Sequence, residues 1–246
     1  MSHDVKYLIS TQRLPQMLLF FFCLVGNVSF VSGQSKKGDD KKKPSVEELE
    51  QLVENQMKAL DLHNDAYKLY IRKEYRAALQ LFNQALVLDT VNSHYFANRG
   101  HTHYALGNWK FAMADYRKAN QVAPKGTHET YFQMAEILHK QWQQYKKALP
   151  NYQKAIELIH ENGMVLDLPR CHFSRATCYL KLKQYENAIA DFSKTIEMRP
   201  NHFGAYANRG MARYNTNDQD GACQDWRKAV ELGYEAAQSY VTSYCK

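Results

Sequence analysis

The chain of 246 residues is poor in the two residues that interrupt helices, with only 6 Pro and 11 Gly, whereas it holds 17 Tyr. Few helix breakers and many large side chains favour helices that pack on one another, so we expect an all-α fold. The sequence also lacks the motifs CxxC, HExxH and GxSxG and a phosphate-binding loop. These motifs are typical of metal, hydrolase and nucleotide sites. Since they are absent, we expect that the protein is not an enzyme and binds no cofactor.

Ten histidines invite a metal-binding hypothesis, which their spacing weakens. His101 and His103 are two residues apart, so on a helix they point away from each other. His94 and His101 share a helical face but lie two turns apart, and they would need a third ligand such as His63. We therefore expect no bound metal.

Positive charge is concentrated near the N-terminus. The formal net charge is +7, but five Lys lie within residues 34–44, and without residues 1–44 the net charge falls to +3. A nearly neutral body argues against a nucleic-acid partner. Residues 34–44 are predicted to be a disordered basic linker, which is also the one segment expected to contact a membrane surface.

Residues 1–33 have the order of a secretory signal peptide. Lys6 and Arg13 precede the apolar run 17–26, and small residues follow up to Gly33. This order predicts cleavage after Gly33 and export to the periplasm or the cell exterior. The alternative is an uncleaved anchor, although the apolar segment is shorter than the ~20 residues that span a bilayer.

An internal repeat organises residues 45–246. Three segments align directly, namely KEYRAALQLFNQAL (73–86), GNWKFAMADYRKAN (107–120) and KQYENAIADFSKTI (183–196). In each, an aromatic residue is followed three places later by Ala, four later by a second aromatic, and three later by Ala or Thr. Such steps keep the side chains on one helical face. Two weaker copies begin near 143 and 218, and a second helical pattern precedes every copy, so each unit is predicted to be a helical hairpin.

This pattern resembles the tetratricopeptide repeat (TPR), a helical hairpin of 34 residues. The resemblance implies a right-handed superhelical solenoid of about five hairpins. We place the repeats at approximately 59–92, 93–126, 128–161, 169–202 and 203–236, with a capping helix over 235–246. The TPR domain is predicted to begin at residue 45, where Ser45 and Glu48 fit a capping box. Pro150 should lie in the first turn of its helix or kink it.

Two similar hexapeptides, YFANRG (95–100) and AYANRG (205–210), occupy the same place in the second and fifth repeats. Their separation exceeds three ideal periods. The surplus indicates single extra residues near 125–127 and 141–144 and about six within 160–168, where we expect a widened loop. The two hexapeptides are predicted to be structural and not a duplicated catalytic site.

The cysteines allow two predictions. Cys223 and Cys245 each lie eleven residues from Tyr234, the middle of an expected turn, so antiparallel helices would place the two cysteines side by side. A disulfide is predicted there, with two unpaired thiols as the alternative. Cys171 and Cys178 lie seven residues apart, about 10.5 Å along a helix, which is too far for a bridge. We expect these two to be core thiols.

In TPR proteins the concave surface is lined mainly by five places of each first helix, and the resemblance transfers these places to this chain. The side chains expected to bind a peptide or helix are His63, Tyr67, Tyr70, His94, His101, Tyr104, Phe132, His139, Arg170, Phe173 and Tyr214. Alternatively, several of these aromatics only pack against adjacent repeats. The carboxylate clamp of chaperone-tail binders is not matched, because among His63, Tyr67, Asn98, Glu129 and Gln133 only Asn98 fits.

These observations together predict a non-enzymatic scaffold or adaptor of the cell envelope that binds a protein or peptide in its concave groove. The alternative is a structural subunit of an envelope assembly that uses its convex or terminal surfaces and has no groove ligand. Neither version follows from the fold alone, since function belongs to the site.

Overall fold

Eleven α-helices and no strand occur in residues 44–123 and 125–246, the part of the chain that the computed structural model describes. The predicted signal peptide, linker residues 34–43 and Pro124 lie outside it. The helices are α1 (Val46–Ile71), α2 (Tyr75–Leu88), α3 (Ser93–Ala105), α4 (Trp109–Val122), α5 (His128–Glu136), α6 (Tyr145–Asn162), α7 (Leu168–Lys181), α8 (Tyr185–Met198), α9 (Phe203–Asn215), α10 (Gln219–Glu231) and α11 (Gln238–Tyr244). None of them is long and apolar enough to cross a membrane.

Consecutive helices pair into five hairpins. The first helix of each pair, the A helix, is α1, α3, α5, α7 or α9, and the second, the B helix, is α2, α4, α6, α8 or α10. Contacts are concentrated within each hairpin and between neighbouring hairpins. A stack in which each unit touches mainly its neighbours is a solenoid, and the predicted all-α solenoid is confirmed.

Each hairpin turns through one residue in the left-handed backbone conformation. In the second hairpin this residue is Gly107, with φ of 76°. The other four hairpins use Lys73, Gln143, Lys183 and Asn217. The next N–H then bonds a carbonyl near the end of the A helix, as Gln184 N donates to Tyr179 O at 2.9 Å. This closure satisfies a carbonyl that the end of the helix would otherwise leave unpaired.

The alternating large and small side chains of the repeat form the core. The large B-helix residues Phe82, Tyr116, Tyr152, Phe192 and Trp226 are all almost fully buried. Small A-helix residues lie against them: a Cβ placed on Gly100 would lie 2.8 Å from the Tyr116 ring, and one on Gly210 would lie 2.7 Å from the Trp226 ring. The hexapeptide glycines therefore permit the close approach of two helices.

The third hairpin takes up one extra residue in a π-helical turn. Residues Ile137–Gln141 continue α5 with the wider π spacing, and Trp142 N donates to Ile137 O at 3.1 Å. Such a turn holds one more residue than the α-helical turn it replaces. The sequence predicted an extra residue near 141–144 but not the form that it takes.

The expected loop within 160–168 is wrong in part. The helix α6 continues to Asn162, ends at the left-handed Gly163, and is followed by a 3-10 turn at Val165–Asp167. Much of the surplus therefore adds helical structure, because the local sequence continues the pattern of α6 before the first Gly. Pro150 is the sixth residue of α6, so the first of its two predicted placements, the first helical turn, is wrong, and a kink of α6 stays a prediction.

The short helix α11 covers the end of the stack. It follows a 3-10 turn at Glu235–Ala237, so the helical segment expected over 235–246 is divided in two. Tyr240 of α11 stacks on Trp226 of α10 with ring centroids 5.3 Å apart. This contact covers the aromatic face that the last hairpin would otherwise expose.

A disulfide joins Cys223 of α10 to Cys245, just after α11, with 5.6 Å between the Cα atoms. This is the pair that the sequence predicts. Cys171 and Cys178 are buried free thiols, and burial raises the pKa of each to about 12. Thiols with such a pKa are unreactive at neutral pH.

Candidate peptide-binding groove

The A helices α3, α5 and α7, together with the π-helical turn after α5, border a half-open cavity of about 560 Å³. Its lining residues are Tyr104, Phe132, Gln133, Glu136, His139, Lys140, Arg170, Phe173, Ser174 and Thr177. Half of these residues are among the side chains that the TPR resemblance assigns to the groove. The cavity therefore overlaps the predicted groove.

Aromatic rings form one wall of this cavity. Phe132 is only 3% exposed, packs against Tyr152 with centroids 5.7 Å apart, and lies beneath the Arg170 guanidinium, whose Cζ is 4.1 Å from the ring centroid. Phe173 is half-buried and lies 4.6 Å from His202 between ring centroids. Both rings are fixed by their neighbours, so the wall is largely preformed.

An ion pair across two repeats borders the cavity. Arg170 of α7 donates to Glu129 Oε2 of α5 at 2.8 Å, and Gln133 Nε2 donates to Oε1 of the same carboxylate at 2.7 Å. Burial alone would raise the pKa of Glu129, but the Gln133 hydrogen bond and the Arg170 charge hold it below its ordinary value. This carboxylate is therefore ionised at neutral pH and fixes Arg170 over Phe132.

A second polar cluster lies around Glu136, whose side chain is almost buried. Tyr152 Oη donates to Glu136 Oε1 at 2.5 Å, and Lys140 forms an ion pair with Oε2. His139 Nδ1 lies 3.1 Å from the same Tyr152 hydroxyl. Burial lowers the pKa of His139, and the Glu136 charge opposes this only in part. His139 is therefore neutral at neutral pH, and it lies beside Glu136, whose negative charge is balanced by Lys140.

The histidines nearer the N-terminus take part in packing. Asn98 Nδ2 lies 2.8 Å from His63 Nε2, and the His63 ring stacks on Tyr95 at 4.7 Å. His101 Nδ1 lies 2.9 Å from Tyr116 Oη. Burial lowers the pKa of both histidines. No group of three metal-ligating side chains occurs within residues 44–123 and 125–246.

The structure brings five of the eleven predicted groove residues to the cavity, namely Tyr104, Phe132, His139, Arg170 and Phe173. The other six lie apart from it. Among these, Tyr67 and Tyr70 stack on each other with centroids 6.3 Å apart, and Tyr214 packs against Tyr244 at 4.8 Å near the C-terminal end. His94 is exposed at the start of α3.

Sequence reasoning missed a set of arginine clamps that hold the A and B helices together. An A-helix arginine donates two hydrogen bonds to a B-helix aspartate in the pairs Arg99 with Asp115, Arg175 with Asp191, and Arg209 with Asp225. Arg209 also donates to Ser193 of the preceding repeat at 3.0 Å. The signal was present in the sequence, since each aspartate follows its arginine by sixteen residues. The arginine of each hexapeptide, Arg99 or Arg209, therefore has a structural role.

Residues 128–161 and 169–202 each match a family model described as tetratricopeptide repeat. This chain is a tetratricopeptide-repeat protein. The two matches coincide with the third and fourth repeats, whose A helices α5 and α7 supply most of the cavity wall. Both matching models describe repeats, and neither describes a catalytic domain.

Named relatives of this TPR protein are longer than the chain itself. The TPR repeat-containing protein MJ1428 of Methanocaldococcus jannaschii is 22% identical over 209 residues, which cover 78% of this chain and 35% of the relative. Heat shock protein STI1 of Saccharomyces cerevisiae is 31% identical over 88 residues, covering 36% and 14%. The chain therefore spans about a third of these relatives or less.

Solved structures share the fold of this TPR protein. YrrB, described as a TPR protein with an unusual peptide-binding site, aligns with a TM-score of 0.67 and 21% identity over 79% of this chain and 97% of YrrB. MamA aligns with a TM-score of 0.63 and 19% identity, covering 74% and 94%. PilW, a type IV pilus biogenesis factor, aligns with a TM-score of 0.59 and 16% identity, covering 75% and 87%.

Proposed function

We propose that this TPR protein is a non-enzymatic adaptor that holds a peptide or helix of a partner protein in its concave groove. The cavity between α3, α5 and α7 carries the proposal. It combines aromatic walls with a few fixed polar groups, which is the usual composition of a site that anchors a ligand side chain. The peptide-binding site named for YrrB, which has the same fold, supports this mode of binding.

The charges around the cavity narrow the kind of side chain that it accepts. Glu129 is paired with Arg170, and Glu136 with Lys140, so each carboxylate already has a cation. A charged side chain of the partner segment would find no unpaired opposite charge in the cavity, and its desolvation would weaken binding. An apolar or aromatic anchor in the partner segment is therefore favoured, with polar flanks that meet the paired charges at the rim.

Site-specific photo-crosslinking in cells tests this proposal. A photoreactive residue at Thr177, which lines the cavity, should capture a defined partner, whereas the same residue at Phe111, 63% exposed on the B helix α4, should not. Phe173→Ala removes one wall and should lower capture at Thr177 about tenfold or more, with circular dichroism verifying that the variant is folded. Capture from Phe111 alone would instead favour the convex surface.

We further propose that the protein is exported to the cell envelope. The signal-peptide order of residues 1–33 supports this, and so does the disulfide between Cys223 and Cys245, because disulfides persist in oxidising compartments. The intact mass of the exported protein should correspond to a chain that begins at Gln34. A mass that still includes residues 1–33 would refute cleavage.

A further inference from the structure

The first A helix is much longer than the others and projects beyond its hairpin. The helix α1 has 26 residues, whereas α3, α7 and α9 have 13 or 14. Its first buried residue is Ala59, and no residue between Val46 and Lys58 is buried. This extension consists mainly of good helix formers, so helical structure continues from the packed part of α1 although none of its residues is buried.

The extension carries an apolar stripe that no described residue covers. We define the α1 stripe as Val46, Leu49, Val53, Met57 and Leu60, whose exposed fractions lie between 38% and 71%. At 3.6 residues per turn, these five side chains lie on one face of the helix. A continuous exposed apolar face of this kind marks a site of interaction.

One edge of the α1 stripe is acidic. Glu47, Glu50, Glu54 and Asp61 are all exposed and follow the same side of the stripe along the helix. Within the described part of the chain, none of these four carboxylates is in an ion pair. Their charges are therefore available to a partner, and they add up to a negative border in a chain whose net charge is +7.

We propose that the α1 stripe binds a basic amphipathic helix of a partner protein. The seven-residue spacing of Val46, Val53 and Leu60 is the spacing with which two helices pack along a common seam. The acidic edge calls for lysine or arginine at the flank of the partner helix. In an antiparallel pair, a second copy of α1 would bring carboxylates of its own against the same edge.

This surface is separate from the cavity. The stripe lies on the N-terminal part of α1, whereas the cavity is lined by α3, α5 and α7. The protein can therefore hold one partner segment in the cavity and another on α1. The two proposals can fail independently of each other.

Two synthetic helical peptides test the proposal. Both are fluorescently labelled 18-residue peptides with leucine along one face, and the remaining positions are lysine in one peptide and glutamate in the other. Titration of the full chain, followed by fluorescence anisotropy, should show binding of the lysine peptide at least about tenfold tighter than that of the glutamate peptide. Added salt should weaken the tighter complex, because exposed charges are screened.

Variants of α1 assign the binding to this surface. The double substitution Leu49→Ser and Val53→Ser should weaken binding of the lysine peptide about tenfold without unfolding the protein, since both side chains are already exposed. Val87→Ser, at a position that is 80% exposed on α2, is the matched control and should leave binding unchanged. Glu50→Lys with Glu54→Lys should reverse the preference towards the glutamate peptide.

Several outcomes would overturn the proposal. Equal binding of the two peptides, or no effect of the double serine variant, removes the role of the stripe and its acidic edge. A dimer that the double serine variant converts to a monomer in light scattering would assign the stripe to a second copy. Binding seen only after removal of residues 1–43 would assign it to the N-terminal segment of the same chain.

Discussion

At the scale of single residues, the two hexapeptide glycines show how tightly the helices approach. A Cβ on Gly210 would lie 2.7 Å from the Trp226 ring, which is too close unless the indole moves. We expect Gly210→Ala to lower the free energy of unfolding by about 1–3 kcal/mol, as overpacking in a core does. Urea denaturation measures this change.

A second glycine of the same helix provides the control for this prediction. A Cβ on Gly204 would meet His202 and Phe173 only at ordinary contact distances of 3.5–3.6 Å. Gly204→Ala should therefore be neutral or slightly stabilising, because alanine favours a helix more than glycine does. Equal destabilisation by both substitutions would contradict the importance of the close approach at Gly210.

The partial or full burial of three histidines predicts how stability depends on pH. Burial holds the pKa of His63, His101 and His139 below the ordinary value, so in the unfolded chain they bind protons at a higher pH than in the folded chain. Stability is then fully present above about pH 6.5 and falls as the pH decreases through the acidic range. The urea midpoint should therefore be lower at pH 5 than at pH 7.5. His101→Gln with His139→Gln should flatten this dependence, and an unchanged pH profile would contradict it.

At the scale of elements, we expect substitutions at two equivalent positions of the hairpin turns to change the free energy of unfolding in opposite directions. Lys183 has a φ of 58°, a conformation that costs a non-glycine residue about 1 kcal/mol, whereas Gly107 occupies the equivalent place in the second hairpin. Lys183→Gly should therefore raise the free energy of unfolding by up to about 1 kcal/mol. Gly107→Ala should lower it, and chemical denaturation of both variants compares the two effects.

The helices themselves were predictable because each carries a local signal. Large and small residues at steps of three and four define the packed faces, and every predicted hairpin has a counterpart in the structure. The π-helical turn at Ile137–Gln141 and the helical continuation before Gly163 were not predictable. An extra residue can enter a helix or a loop, and packing against the neighbouring repeat decides between them.

The cavity was predictable only in part. The TPR resemblance pointed to Tyr104, His139 and Phe173, but it gave no indication that five of the eleven predicted residues would share one cavity. The burial of Phe132 depends on Arg170 from the next repeat, and that of His139 on Tyr152 from the B helix. Such contacts between distant residues leave no local pattern. The arginine clamps did leave one, a constant separation between arginine and aspartate.

At the scale of the whole molecule, the disulfide fastens the last hairpin to its cap. Cys223 and Cys245 enclose a segment with a sequence separation of 22. Closing a loop of this size in the unfolded chain is worth about 3 kcal/mol. Cys245→Ser should lower the free energy of unfolding by about this amount, and reduction of the wild-type protein should produce the same decrease in denaturant titrations. No difference between oxidised and reduced protein would contradict it.

The disulfide also makes the two ends of the solenoid unequal. Because each hairpin is supported mainly by its neighbours, such a stack loses structure from its ends inwards. The disulfide holds the last hairpin to α11, whereas the N-terminal part of α1 is exposed at the opposite end of the stack. Unfolding should therefore proceed from the first hairpin towards the fifth. A protease that acts from the N-terminal end would reach the hairpins around the cavity only after the first hairpin had opened, and a helix bound to α1 would stabilise that hairpin reversibly.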